Sequence, residues 1–131
     1  MQQMFNECSE IESLNLSNFD TSNVTDMSWM FNECYKLKEI KGINQFKTHK
    51  VTNMNTMFQA CYELEYLNLS KFNTSNVIDM AWMFLGCNKL KHLNLSNFSI
   101  KGATQGMLTF KKDKCNFITN NNDLSKLYKS S

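Results

Sequence analysis

The sequence predicts an α/β repeat protein: a solenoid of four to five coils, with short strands on one face and short helices on the other. Two observations predict this fold. A motif recurs about every 26 residues, and each copy contains two different hydrophobic periods. One coil of this size cannot bury its own apolar side, so we expect neighbouring coils to stack and share a continuous core.

The cysteines mark the repeat, because they stand 26, 27, 26 and 28 residues apart, at Cys8, Cys34, Cys61, Cys87 and Cys115. A Met-Phe pair precedes each of the first four cysteines by the same distance. Residues 1–110 are therefore predicted to form the solenoid, in repeats of about 1–26, 27–53, 54–79 and 80–110. Residues 111–131 are predicted to be a degenerate last repeat and a C-terminal cap or tail, in which Cys115 keeps the cysteine position.

Each repeat contains both a strand signal and a helix signal. Apolar residues alternate in Leu14-Asn15-Leu16, which has near copies at 67–69 and 93–95, and this alternation is typical of a strand. One face of a helix is then predicted by the spacing of 3, 3, 1 and 3 in Val24, Met27, Met30, Phe31 and Cys34. The second repeat carries one extra residue at Lys41-Gly42-Ile43, where Gly42 suits a bulge or bend.

The polar residues of the strand segments form a candidate binding face. An asparagine lies between the two inward leucines and a serine follows two residues later, which gives the row Asn15, Ser17, Asn68, Ser70, Asn94 and Ser96. Side chains at this spacing point to the same side of a strand, away from the leucines. The row is equally what an ordinary solvated sheet face looks like, and the sequence leaves both interpretations open.

Two tryptophans, Trp29 and Trp82, occupy the same position of their repeats, with Thr56 between them. On a regular helix they would lie about 160–200° away from the apolar stripe. We therefore expect them on the convex face, either as contacts for a partner or as rings lying along the neighbouring coil.

No catalytic, metal-binding or cofactor-binding motif is recognisable. There is no Cys-x-x-Cys pair, no nucleophile elbow and no glycine-rich phosphate loop. Because each cysteine lies on the predicted apolar stripe, buried free thiols are favoured over disulfides. A net charge of +2, with lysine as the sole strongly basic residue type, argues against nucleic-acid binding. The apolar runs are too short for membrane insertion, and the first residues do not form a signal peptide.

The pattern Met-Phe-x-x-Cys-x-x-Leu-x-x-Leu-Asn-Leu-Ser-x-Phe-x-Thr-Ser-Asn-Val resembles the BspA-like leucine-rich-repeat surface proteins. In particular, it resembles the mycoplasma-type repeat of about 25 residues, a domain of unknown function. The resemblance implies a cell-surface or secreted, non-catalytic module that binds a protein ligand or mediates adhesion. The missing signal peptide leaves a cytoplasmic location open. The alternatives are an intracellular protein–protein scaffold and a structural spacer without its own ligand.

Both ends of the chain depart from the repeat. Met1 and Met4 match Met27 and Met30, so the sequence begins within a repeat, and the open N-terminal coil is a candidate surface for self-association. At the other end, Asp123 is the expected cap of a short helix. Its apolar face would carry Leu124, Leu127 and Tyr128.

Overall fold

A computed structural model describes residues 1–99, 101–102 and 106–130. Its regular elements are five short strands, one 3-10 turn and one α-helix. The strands are β1 (Ser13–Asn15), β2 (Glu39–Lys41), β3 (Tyr66–Asn68), β4 (His92–Asn94) and β5 (Asn116–Ile118). The 3-10 turn is Ile43–Gln45 and the helix is α1 (Asn122–Ser130). β1, β3 and β4 lie, to within one residue, where the sequence alternates, whereas β5 lies in the segment predicted as a degenerate last repeat and cap or tail.

The strands pair in parallel, and equivalent residues of successive repeats face one another. Leu14 pairs with Ile40, and Leu67 pairs with Leu93, which in turn pairs with Phe117. The strands form two sheets, β1–β2 and β3–β4–β5. In each strand the central side chain faces the protein interior, and its two neighbours face outward.

The helices predicted on the other face of each repeat are not formed. All residues from 24 to 34 are described, and they form turns with an isolated bridge at Asp26. Trp29 and Glu33 adopt left-handed backbone angles, with φ of 60° and 59°, and a left-handed residue cannot continue a right-handed helix. The backbone N–H groups of Trp29 and Phe31 donate instead to carbonyl oxygens of the next repeat, at 3.0 and 2.9 Å.

The apolar stripe nevertheless faces the core, since Met27, Met30, Phe31 and Cys34 are all fully buried. Tight turns that advance three or four residues bring side chains back to the same side much as a helix does, which is why the spacing was misleading. Phenylalanine rings stack from repeat to repeat, with centroids 5.7, 5.3 and 5.8 Å apart along the series Phe5, Phe31, Phe58 and Phe84.

Buried threonines join the repeats at a corner behind the strands. The hydroxyl of Thr48 donates to the carbonyl oxygen of Asn73 at 3.0 Å and accepts from the Asn73 N–H at 2.8 Å. Thr21 makes the same pair of bonds to Lys47. At this corner there is no neighbouring strand to bond to. The backbone N–H and C=O of one residue therefore form their hydrogen bonds with a threonine hydroxyl of the preceding repeat.

The last repeat is shorter than the others. The register of β4 with β5 places Asn116 opposite His92, an offset of 24 residues. Cys115 therefore lies directly before β5, opposite Lys91 rather than Cys87. The prediction that Cys115 keeps the cysteine position is wrong. Met107 is buried and accepts a hydrogen bond from the Phe84 N–H, as Met57 does from Phe31.

Helix α1 packs against this last repeat. Its cap is Asn121 rather than the predicted Asp123, because the Asn121 carboxamide oxygen accepts from the N–H groups of Asp123 and Leu124 at 2.9 and 3.0 Å. Leu124 is fully buried. The ring of Tyr128 stacks on Phe117 at 4.1 Å, so α1 covers the final strand.

Candidate binding site: the strand face

We use the name strand face for the surface formed by the outward side chains of the five strands. It also includes the residue two positions after each strand. Its first column contains the residue at the start of each strand, namely Ser13, Glu39, Tyr66, His92 and Asn116. Its second column contains the residue at the end of each strand, namely Asn15, Lys41, Asn68, Asn94 and Ile118. Paired parallel strands are about 4.8 Å apart, so side chains of one column are close neighbours within each of the two sheets.

The asparagines of the predicted binding face lie on this surface, but their carboxamide oxygens are already used. The Asn15 oxygen accepts from the backbone N–H of Ser17 at 3.1 Å, and Asn68 and Asn94 make the same contact at 3.0 Å to Ser70 and Ser96. Each pair is an Asx-turn that ends a strand and starts the following corner. The asparagine amide groups are what this row offers a ligand, and Lys41 interrupts the row in the second repeat.

The strand face also carries an aromatic pair that sequence reasoning missed. The Tyr66 ring stacks on the His92 imidazole with centroids 4.6 Å apart, and 59% of Tyr66 is exposed. The carboxamide nitrogen of Asn116 lies 3.4 Å from His92 Nδ1. Comparison of the residue just before the inward leucine, repeat by repeat, would have found this pair.

A cleft of about 530 Å³ opens in the strand face between β2 and β3. These two strands are not hydrogen-bonded to each other, although both are fully described. Most of the Cα–Cα distances between β2 and β3 exceed 8 Å. We call this opening the β2–β3 cleft; it is lined by Lys38, Glu39, Ile40, Gly42, Ile43, Asn44, Gln45, Tyr66, Asn68 and Lys71.

The segments just before the strands carry ion pairs between neighbouring repeats. The sign of the paired side chains alternates from one repeat to the next. The first repeat supplies glutamates and the second supplies lysines, and the third and fourth repeats do the same. The pairs are Lys36–Glu10, Lys38–Glu12, Lys89–Glu63 and Lys91–Glu65, at 2.6 to 2.8 Å. The hydrogen bond from Lys38 and its positive charge lower the pKa of Glu12. Each pair joins one positive and one negative side chain, so the four pairs together add no net charge to this surface.

The tryptophans lie away from the strand face, on the turns. Trp29 is 38% exposed and Trp82 is 42% exposed. A Cβ on Gly106 would lie only 2.4 Å from the Trp82 ring, so this indole lies against the backbone of the next repeat. The Trp82 ring is therefore partly exposed while it lies along the backbone at Gly106.

The cysteine thiols are unpaired, and three of them are fully buried. The Cys61 and Cys87 thiols donate to the carbonyl oxygens of Phe31 and Phe58, at 3.2 and 3.0 Å. Burial raises the pKa of Cys34 to about 11 and that of Cys87 to about 12. Neutral thiols at these positions act as packing groups rather than nucleophiles.

In the described part of the chain, no three side chains of the metal-binding types come together as a ligand set. Nor does any helix of those residues have the length and apolar character needed to cross a membrane. The strand face combines an aromatic pair with a cleft, which makes it a candidate binding surface among the described residues.

The sequence repeats and the strands that pair between them define a repeat protein with a regular polar surface. The family described as "Mycoplasma protein of unknown function, DUF285" matches residues 1–126, and the chain belongs to this family. No curated protein and no solved structure matches the chain.

Proposed function

We propose that this chain is a non-catalytic protein-binding or adhesion module of a cell-surface protein, and that its strand face receives the protein ligand. The observation that carries the proposal is the stacked Tyr66–His92 pair beside the β2–β3 cleft, in which Tyr66 is exposed and His92 half-buried. Aromatic side chains are enriched at interfaces and supply much of their binding energy. A stacked pair also loses less side-chain freedom on binding than two separate rings.

A leucine-rich-repeat solenoid of the BspA-like kind is the architecture that we propose for this module. Its support is the parallel register of Leu14 with Ile40 and of Leu67 with Leu93, together with the stacked phenylalanines. In such an architecture the strands line one continuous surface, on which neighbouring repeats contribute side chains to a single site.

Photo-crosslinking from the strand face tests the binding function. A benzoylphenylalanine replaces Tyr66 in one variant and Ile78 in a matched control, since Ile78 is 66% exposed but lies outside the strands. Each variant is incubated with extracellular-matrix proteins and with lysate of the source cells. The proposal expects an adduct from position 66 that excess unlabelled protein suppresses, and none from position 78. Equal labelling from both positions, or no adduct from position 66, contradicts it.

Surface location is the second part of the proposal and rests on the resemblance to surface proteins. Protease treatment of intact source cells, followed by peptide detection, tests it. Release of peptides from residues 1–110 supports a surface module. Protection on intact cells, with release after lysis, supports the intracellular scaffold instead and overturns the adhesion role.

A further inference from the structure

The two strands that border the β2–β3 cleft point unpaired main-chain groups into it. In a parallel ladder, alternate residues of a strand bond to the same neighbour. The carbonyl oxygen of Lys41 accepts from the Leu16 N–H of the first repeat, so Glu39 and Lys41 use the edge that faces β1. The N–H and C=O groups of Ile40 therefore face the cleft.

The same reasoning applies to β3. Glu65 accepts from the His92 N–H and Leu69 donates to Asn94, so the odd-numbered residues of this segment face β4. The N–H and C=O groups of Tyr66 and Asn68 therefore face the cleft from the opposite side. No main-chain hydrogen bond joins the groups of Ile40, Tyr66 and Asn68 across the cleft, where every bordering residue is described.

The space between β2 and β3 is wider than the spacing between paired strands. Two neighbours of an inserted strand are about 9.6 Å apart, which is twice the spacing of about 4.8 Å between paired strands. Most of the Cα–Cα distances between β2 and β3 exceed 8 Å, whereas the strands within each sheet are paired directly.

The extra residue of the second repeat explains why the cleft exists. Gly42 has φ of +82°, and a Cβ at this position would lie 2.5 Å from the backbone nitrogen of Ser17. The backbone after β2 thus lies directly against that of the first repeat. The 3-10 turn Ile43–Gln45 follows, and the Asn44 side chain accepts from the Lys71 N–H at 3.0 Å at the far end of the cleft.

The side chains around the cleft indicate which peptide would fit. Ile40 and Ile43 are nearly buried and supply an apolar floor. Lys71 lines the rim, and neither it nor Lys41, the β2 residue next to the cleft, makes a salt bridge within the described residues. Among the bordering side chains, Glu39 is the one acidic group without a salt bridge. This rim favours a negatively charged segment.

We propose that the β2–β3 cleft binds an extended, acidic peptide segment of the protein ligand, which pairs with Ile40 on one side and with Tyr66 and Asn68 on the other. Main-chain hydrogen bonds on both edges supply affinity, and the lysines select acidic side chains. The inference rests on the proposed function, because it specifies the part of the ligand that the strand face recognises.

Random heptapeptides displayed on phage and selected against the full chain provide the probe. The best binder is then synthesised and added to the isotope-labelled protein while amide hydrogen exchange is followed by NMR. Selected peptides should be rich in Asp and Glu. Exchange at Ile40, Tyr66 and Asn68 should slow by about tenfold or more. Absence of binding peptides, or a bound peptide that leaves these three amides unprotected, overturns the inference.

Two matched changes separate main-chain pairing from charge. Methylation of the inner amide nitrogens of the peptide keeps every side chain and should weaken binding by about tenfold or more. Lys71→Glu should weaken binding about fivefold, and Lys129→Glu, on the exposed surface of α1, should not. Equal binding of the methylated peptide contradicts strand insertion.

The outcomes distinguish the two proposals. If photo-crosslinking from position 66 succeeds while Ile40, Tyr66 and Asn68 stay unprotected, strand insertion is wrong and the binding function stands. If position 66 gives no adduct, the binding function itself is wrong.

Discussion

The ring of Tyr66 lies 4.6 Å from the imidazole of His92 and is tilted from it by only 8°. The two residues face each other across β3 and β4 because the strands pair in register. One flat aromatic surface is thus assembled from two repeats. Neither residue belongs to the buried core, so the pair lies at the surface of the strand face.

The phenylalanine stack should be a principal source of stability. Phe58 is fully buried between Phe31 and Phe84, so Phe58→Ala should lower the free energy of unfolding by about 3–5 kcal/mol. Phe19→Ala is the control, since Phe19 is exposed, and should cost less than about 1 kcal/mol. Urea denaturation measures both, and similar losses would contradict a continuous core through the Phe58 position.

The buried threonines should stabilise the corner through their hydroxyls. Thr48→Val keeps the shape of the side chain but leaves the N–H and C=O of Asn73 without their partner, so we expect a loss of about 1–3 kcal/mol. Thr52→Val changes an exposed threonine and should stay within about 0.5 kcal/mol. Thermal unfolding compares the two variants, and an unchanged Thr48→Val protein would show that the hydroxyl is dispensable.

Gly42 should tolerate a side chain less well than Gly86. Both have left-handed backbone angles, with φ of 82° and 81°, so both alanine variants carry a similar backbone penalty of about 1 kcal/mol. A Cβ at Gly42 would also lie 2.5 Å from the Ser17 nitrogen, whereas at Gly86 its closest neighbour is the Tyr62 ring at 3.2 Å. Gly42→Ala should therefore cost about 1–3 kcal/mol more in chemical denaturation. Equal costs would mean that the contact with the first repeat is looser than described.

The buried thiols should make stability fall at alkaline pH. An unfolded thiol releases its proton near its ordinary pKa of 9.0, while the folded protein holds the Cys87 proton up to a pKa of about 12. Stability from this group is therefore complete below about pH 9 and is lost as the pH rises toward 12. Unfolding by urea at about pH 7.5 and about pH 10.5 should show a smaller loss in Cys87→Ser than in the natural sequence. Identical losses would contradict the raised pKa.

Reactivity toward a thiol reagent gives a second readout of the same burial. Cys8 and Cys115 are partly exposed, whereas Cys34, Cys61 and Cys87 are buried. At neutral pH we expect Cys8 and Cys115 to be labelled in the native protein and the other three only after unfolding. Mass spectrometry locates the labels, and rapid native labelling of Cys61 would be inconsistent with its packing.

The strands β1, β3 and β4 could be predicted from the sequence because a strong local pattern encodes them, whereas β5 lies in a segment where that pattern is lost. Leu14 and Leu67 alternate with polar residues, and the parallel strands form at these positions. The turns could not be predicted, because Met27, Met30 and Phe31 have a spacing that fits a helix equally well. Trp29 and Glu33 prevent the helix because they adopt left-handed backbone angles. Neither residue is a glycine, so the sequence does not signal these angles.

The residues of the candidate site could be predicted only in part from the sequence. Asn68 and Asn94 were identified because they recur, yet they mainly close turns. Tyr66 and His92 do not recur, since the first repeats carry Ser13 and Glu39 at this position, and attention to conserved repeat positions overlooks them. The cleft depends on the extra residue near Gly42, whose effect on strand pairing only the three-dimensional structure reveals.

The most direct measurement is the affinity of the crosslinked ligand for strand-face variants. Tyr66→Ala combined with His92→Ala should weaken binding by about 30-fold or more, as expected for an interface hot spot. The free energy of unfolding should change by less than about 1 kcal/mol. Ile78→Ala should leave the affinity unchanged. If the double variant binds as tightly as the natural protein, the strand face is not the ligand site.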